Sequence, residues 1–159
     1  MKAIETRYKG YRFRSRLEAR WAVFFDTAGI KWEYEFEGCD LGDLGWYLPD
    51  FMMLHNPGRG PIVEIKPTEP TSVEFDKLSL ACALARDGVG AYGALIWGAP
   101  GKHNWIAIHK DEGARCGSEK TTDLIEYLSA YSLEGTCARW GRSIKAARSA
   151  RFDRAEEMA

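Results

Sequence analysis

The chain has no Cys-x-x-Cys pair. Its 4 cysteines, Cys39, Cys82, Cys116 and Cys137, stand far apart, which argues against a redox dithiol or zinc ribbon and for reduced, mostly buried thiols. Histidine is equally scarce: the 3 copies, His55, His103 and His109, lack the close spacing of zinc ligands. No run approaches the roughly 18 apolar residues that span a bilayer. The start, Met1-Lys2-Ala3-Ile4-Glu5-Thr6-Arg7, lacks the apolar core of a signal peptide. The expectation is a soluble cytoplasmic protein with no membrane partner. Internal repeats, linkers, a phosphate-binding glycine loop and a Ser-His-Asp arrangement are all missing.

What is there is a chain of 159 residues, 45% hydrophobic, with 6 Trp, 7 Tyr and 7 Phe, enough to bury a core and incompatible with global disorder. Its net charge of -1 conceals a strong asymmetry. Residues 1–20 carry seven Lys/Arg against two acids, residues 139–159 six against three, and residues 21–138 nine against eighteen. Basic ends around an acidic centre suit a protein that grips a polyanion while concentrating carboxylates; solvated charged ends account for the same numbers.

Thr6 to Phe13 alternates aromatic and basic residues around Gly10, the pattern of a short hairpin. Ser15 reads as an N-cap, with Leu17, Trp21, Phe24, Phe25 and Ala28 at helical spacing behind it and Gly29 as the stop. Lys31 to Glu37 alternates as a half-buried strand, with Trp32, Tyr34 and Phe36 on one face. After a turn over residues 38–45, Trp46 to Met53 reads as a strand in which Pro49 demands an edge position or a bulge. His55 to Pro61 reads as a loop, and Ile62 to Lys66 as a short apolar strand stopped by Pro67. Thr71-Ser72-Val73-Glu74 is a capping box opening a helix through Arg86. Strands Tyr92 to Trp97 and Trp105 to His109 form a hairpin across Gly98–Gly101, followed by helices over Thr121 to Tyr131 and Ser143 to about Glu156.

Chemistry concentrates in two of these segments, Leu48-Pro49-Asp50-Phe51 and Ile62-Val63-Glu64-Ile65-Lys66. Strand alternation puts Glu64 and Lys66 on one face and Val63 and Ile65 on the other. The span between Asp50 and Glu64 allows a hairpin-like return that brings the carboxylates together. Two such carboxylates resist ionising side by side, and a divalent cation removes the conflict. Mg²⁺ takes one or two carboxylates, waters and phosphate oxygens, so two acids and an amine suit metal-assisted phosphodiester cleavage. A turn Asp after Pro and a surface Glu-x-Lys pair are the plain structural alternatives.

Phe13-Arg14-Ser15-Arg16-Leu17-Glu18-Ala19-Arg20-Trp21-Ala22, Tyr47-Leu48-Pro49-Asp50-Phe51 and Val63-Glu64-Ile65-Lys66-Pro67 together resemble the PD-(D/E)xK nuclease superfamily. The likeness is greatest to small phage-type members with an FRSxLEAxWA first helix. Phage junction-resolving endonucleases and the transposon-end-cutting subunit of some transposases share this order of acids. The resemblance covers about residues 11 to 67 and thins to element order beyond residue 70. It implies an α/β, restriction-endonuclease-like core, a mixed central sheet of about four to five strands flanked by helices. It also implies a divalent metal, Mg²⁺ with Mn²⁺ as substitute, held by Asp50, Glu64 and the Ile65 carbonyl. Lys66 then serves the nucleophilic water, Glu18 joins the metal site, and Lys77 faces the same cleft. The nuclease domain would occupy residues 1–140, with residues 141–159 a basic helix packed on it or extending from it. The location expected is cytoplasmic, the host cytoplasm for a phage-encoded chain.

Several residues read two ways. Ser15-x-x-Glu18 is also a capping box, in which Glu18 folds back to the Ser15 N–H. Arg14, Arg16 and Arg20 are candidate phosphate contacts or solvated helix arginines. Lys145, Arg148, Arg151 and Arg154 recur every third residue, as a DNA backbone clamp or a solvated tail. His103-Asn104 with His109 has the letters of an HNH nuclease without its metal-binding context. The reading reached is hydrolysis of DNA, selective for structure rather than base sequence, because basic residues near both ends would hold the backbone. A ribonuclease and a catalytically silent nucleic-acid- or protein-binding module on the same fold are the alternatives. A homodimer is what junction resolution would require.

Overall fold

The computed structural model describes residues 2–55, 58–84, 92–109, 113–116, 121–129 and 136–152. Strands β1 (Thr6–Tyr8) and β2 (Tyr11–Phe13) form the opening hairpin, in register Thr6↔Phe13. Both turn residues, Lys9 and Gly10, have positive φ (50° and 80°), the twist that two-residue hairpins favour. Helix α1 (Arg16–Ala28) begins at Ser15, whose hydroxyl oxygen accepts the Glu18 N–H at 3.1 Å, and ends at Gly29 in the left-handed region. Both limits agree with the sequence reading.

Strand β3 (Trp32–Tyr34) ends before the expected Glu37, because Glu35 turns to φ 47°. Phe36 is thereby carried out to solvent, with the Arg59 guanidinium 4.0 Å above its ring. The expected strand Trp46 to Met53 is broken in two. Strand β4 (Cys39–Asp40), a 3₁₀ turn (Gly42–Leu44) and β5 (Trp46–Tyr47) make a separate small hairpin, and β6 (Phe51–Leu54) starts after Asp50. Pro49 falls in the break, where its missing N–H costs the ladder nothing. β6 lies between two strands rather than at an edge, and its register shifts between Met52 and Leu54.

Strand β7 (Arg59–Lys66) extends into what reads as a loop. Helix α2 (Ser72–Leu84), strands β8 (Tyr92–Ala99), β9 (Lys102–His109) and β10 (Gly113–Cys116), and helices α3 (Thr121–Ser129) and α4 (Thr136–Ser149) complete the described elements. The end of the expected second helix, at Arg86, lies outside the described residues. The sheet order is β10-β9-β8-β7-β6-β3. Only the β7–β8 pair, joined through α2, is parallel; the other four are antiparallel. The fold is therefore mixed α/β with helices flanking a central sheet of six strands, β10 being the addition.

Two apolar clusters fill the two sides of the sheet. On one side Leu78, Ala81 and Cys82 of α2 pack on Met52, Ile62, Leu95 and Ile108. Gly93 lets α2 come close, since a Cβ there would stand 2.8 Å from the Cys82 Sγ. On the other side Trp21, Phe24 and Phe25 of α1, Leu124, Ile125 and Leu128 of α3, and Trp140 and Ala147 of α4 join Val63, Ile65, Ala94 and Ile96. Each fully buried large apolar side chain contributes about 1.5–3 kcal/mol.

The terminal helix begins at Thr136 rather than Ser143 and ends at Ser149 rather than near Glu156. The expected boundary between residues 140 and 141 therefore falls inside α4. The basic stripe keeps only Lys145 and Arg148 on the helix; Arg151 follows it and Arg154 lies outside the described residues. Cys39 and Cys82 are free thiols, and burial pushes Cys82 up to about 12; the side chains of Cys116 and Cys137 lie outside the described residues. Among the described residues no helix is long and apolar enough to cross a membrane.

Candidate active site

The antiparallel register between β6 and β7 pairs Phe51 with Val63. Continued by one residue, it brings Asp50, just ahead of β6, beside Glu64 near the end of β7. The same end of β7 is where a parallel strand pair and its crossover helix meet, the place where open α/β sheets bind ligands. The first turn of α1 arrives there as well. Phe13 stacks on Tyr34 at 4.4 Å between ring centroids, and the Tyr34 hydroxyl accepts the Arg14 N–H at 3.1 Å, which seats the start of α1 against the sheet.

The result is a cleft of about 530 Å³ whose walls include Glu18, Asp50, Glu64, Ile65, Lys66, Glu74 and Lys77, with Arg14, Trp46, Tyr47 and Leu48 at its sides. Three of its acids are nearly buried: Glu18 at 8% exposure, Asp50 at 8% and Glu64 at 7%. Each is held by protein donors. Asp50 Oδ2 accepts the Ile65 N–H at 2.7 Å. Glu64 Oε2 accepts the Tyr47 hydroxyl at 2.9 Å, and its Oε1 lies 2.8 Å from Lys66 Nζ. Glu18 accepts hydroxyls on both oxygens, from Ser15 at 2.6 Å and from Tyr34 at 2.5 Å. The capping interaction differs from the expected one, because Glu18 takes the Ser15 hydroxyl and not its N–H.

The electrostatics follow from this crowding. Burial, then Glu64, then Glu18 raise the Asp50 carboxyl well above its ordinary value, against the Ile65 N–H and Lys66. Burial alone would depress the Lys66 amine, but Glu64, Glu74 and Asp50 outweigh it and hold it above its usual value. Burial, followed by the charge and hydrogen bond of Glu64, pushes the Tyr47 hydroxyl far up, so it stays a donor. Tyr34 is raised in the same way by burial and by its bond to Glu18.

Glu74 is a fourth acid that sequence reasoning treated only as a helix cap. Its Oε2 accepts the Thr71 N–H at 2.8 Å while its Oε1 lies 3.4 Å from Lys66 Nζ. The Thr71 N–H, foremost, and Lys66 lower its carboxyl below the usual value against a smaller effect of burial. Tyr34, Tyr47 and Trp46 also went unread as site residues. Buried tyrosines need a partner for the hydroxyl, and two of them near strand-borne acids are the signal that was available.

Of the expected cations, Lys77 lines the cleft, and so does Arg14, which pairs with Glu35 at 2.6 Å. Arg16 is exposed at the start of α1, and Arg20 is half-buried with its Nε unpartnered. Arg148 and Arg151 are exposed on and after α4. None of these four lines the cleft. His103 is half-buried with its ring against Trp21 and Trp140, and burial lowers it to about 4.

Among the described residues no three His, Cys, Asp or Glu side chains stand close enough to share one metal ion. Protein donors hold the carboxylates instead. The donor set nevertheless fits a hard divalent cation: it is all oxygen, nearly buried, and carries the mutual repulsion seen at Asp50. No protein-family model, curated protein or solved structure matches this chain.

Proposed function

We propose that the protein is a metal-dependent nuclease that hydrolyses phosphodiester bonds of DNA and selects its substrate by structure rather than base sequence. One observation carries the reading: Glu18, Asp50, Glu64 and Lys66, from a helix and two strand ends, converge on one cleft together with the backbone of Ile65. A module that only binds has no use for three nearly buried acids and an amine in one cleft. The resemblance to PD-(D/E)xK nucleases assigns the same four side chains to catalysis.

Asp50, Glu64 and the Ile65 carbonyl would hold Mg²⁺ or Mn²⁺, and Glu18, on the wall of the same cleft, would reach such an ion through water. Bound there, the ion supplies Lewis-acid polarisation of the phosphoryl oxygens and a more acidic water. The remaining steps belong to the chain. Tyr47 and Tyr34 each fix one carboxylate oxygen, which orients Glu64 and Glu18 in the cleft. Lys66, kept charged between Glu64 and Glu74, orients the attacking water and offsets charge building on the phosphoryl oxygens. The water oxygen bonds to phosphorus as the bond to one sugar oxygen breaks. The water gives up a proton and the leaving oxygen takes one, so a phosphomonoester and an alcohol result. Arg14 and Lys77 hold neighbouring phosphates without reading bases.

A catalytically silent nucleic-acid- or protein-binding module on the same fold draws on one observation, the 2.8 Å pairing of Lys66 with Glu64. That pair neutralises both groups without an ion. A panel of supercoiled, linear, single-stranded, flapped and four-way DNA, with RNA counterparts, separates the readings. Each substrate is incubated with Mg²⁺, Mn²⁺ or EDTA. Wild type is expected to cut in Mg²⁺ or Mn²⁺ alone, and Asp50→Asn or Lys66→Ala to lose cutting while DNA binding persists. Undiminished cutting by both variants sinks the assignment. So does the absence of both cutting and calorimetric Mn²⁺ uptake by wild type.

A further inference from the structure

Trp46 is 69% exposed, more than any other large apolar side chain among the described residues. A tryptophan in water forgoes a large share of its burial energy, so its surroundings matter. They are built rather than loose. β4 and β5 pair through Asp40↔Trp46, and the turn between them is closed by Leu41 N–H to Gly45 O and Gly45 N–H to Gly42 O, both 2.9 Å. The indole lies directly on Gly38: a Cβ there would stand 2.5 Å from Cζ2 and 2.7 Å from Nε1. Any other residue at 38 would push the ring away. One side of the indole is therefore backed by main chain while most of the ring stays open to solvent.

The position of that ring is as informative as its exposure. Strand alternation turns Trp46 outward and Tyr47 inward, and the Tyr47 hydroxyl reaches Glu64 at 2.9 Å. Trp46 itself lines the cleft, which also offers Arg14 and Lys77 as cations. A strand of nucleic acid with a phosphate among the acids and these cations carries its adjacent base one backbone step away, within reach of the cleft's wall. An aromatic face accepts any base, since every base has a π-face, and such stacking contributes about 1–3 kcal/mol.

We propose that Trp46 is a stacking platform for an unpaired DNA base next to the bond that is cut. The proposal rests on the nuclease reading and names the substrate class: DNA with a single-stranded flap, gap or opened junction. A base inside an intact duplex has both faces covered by its neighbours and gains nothing from the indole. Stacking alone reads no base edge, so the preference is for unpairing and not for sequence.

The test uses the full chain and 2-aminopurine, a base whose fluorescence is quenched by stacking. The probe sits in the single-stranded arm at a flap junction, or paired inside a blunt duplex. Titration in EDTA keeps cleavage out of the measurement. Wild type is expected to quench the flap probe. Trp46→Ala, exposed and hence folded by circular dichroism, should lose the quench and bind the flap about 5–150-fold more weakly. Trp46→Phe should restore most of both, and affinity for the blunt duplex should hardly change. In Mg²⁺, kcat/KM on the flap should fall in parallel. Equal quenching in Trp46→Ala, or equal weakening on the blunt duplex, overturns the proposal. Cutting without quenching removes the stacking role and spares the nuclease. Quenching without any cutting does the reverse, and no DNA binding removes both.

Discussion

Asp50 pays the most for its position. Burial first, and then Glu64 and Glu18, make its carboxyl hold a proton more tightly in the folded protein than in the unfolded chain. Stability therefore falls as pH rises from the ordinary carboxylate range through the raised folded value, and above that value the cost is carried in full. Asn at this position keeps an acceptor for the Ile65 N–H and sheds the charge. Asp50→Asn should raise Tm in EDTA at pH 7 by roughly 2–4 °C, the shift about 1 kcal/mol makes in a chain of this size, with the gain shrinking toward pH 4. A lower Tm at pH 7, or a gain independent of pH, would show that the repulsion is not felt. Glu64 and Lys66 were legible in the sequence because strand alternation is local, and Asp50 because the short span to Glu64 allows a hairpin-like return. The site roles of Tyr34, Tyr47 and Glu74 were not, since their contacts with Glu18, Glu64 and Lys66 exist only in the folded chain.

At the level of elements, the readable limits are those with their own chemistry. Ser15 and Gly29 bound α1, and Thr71 with Glu74 opens α2, as their side chains and backbone dictate. Strand ends were misread wherever a neighbouring strand decides them: Glu35 leaves β3 at the point where its N–H turns to the Asp50 carbonyl at 2.8 Å. The break at Pro49 likewise separates β5 from β6 so that Tyr47 and Asp50 both meet Glu64. Ser15 has two tasks, capping α1 and donating to Glu18. Ser15→Ala should cost about 1 kcal/mol in urea denaturation, and Ser15→Thr should recover most of it. No loss in Ser15→Ala would mean that solvent satisfies the first turn as well as the hydroxyl does.

Across the whole molecule, the mixed sheet between helices is what the resemblance implied, and the boundary expected at residues 140 and 141 runs through α4. α4 packs on α1, with Trp140 and Ala147 in the same cluster as Phe24 and Phe25, and with Ile144, Ala150 and Phe152 against it. These contacts join residues far apart in the chain, so no local pattern announces them. A chain ending at Trp140 should lose more than about 3 kcal/mol in urea unfolding, or its cooperative transition altogether. An unchanged midpoint would make α4 an appendage, as the basic composition of the segment suggests. The six-stranded sheet, closed on both faces, is what holds a cleft of crowded acids open at one end.

Glu74 has a consequence for how such a chain can diverge. One oxygen of its carboxylate caps α2 and the other steadies Lys66. A substitution to almost any residue abandons both roles at a stroke, and glutamine, which can still cap, gives up the charge beside the amine. Relatives of this chain are therefore expected to vary less at this half-exposed position than surface positions usually do. A lineage can change its helix start only by renegotiating its lysine.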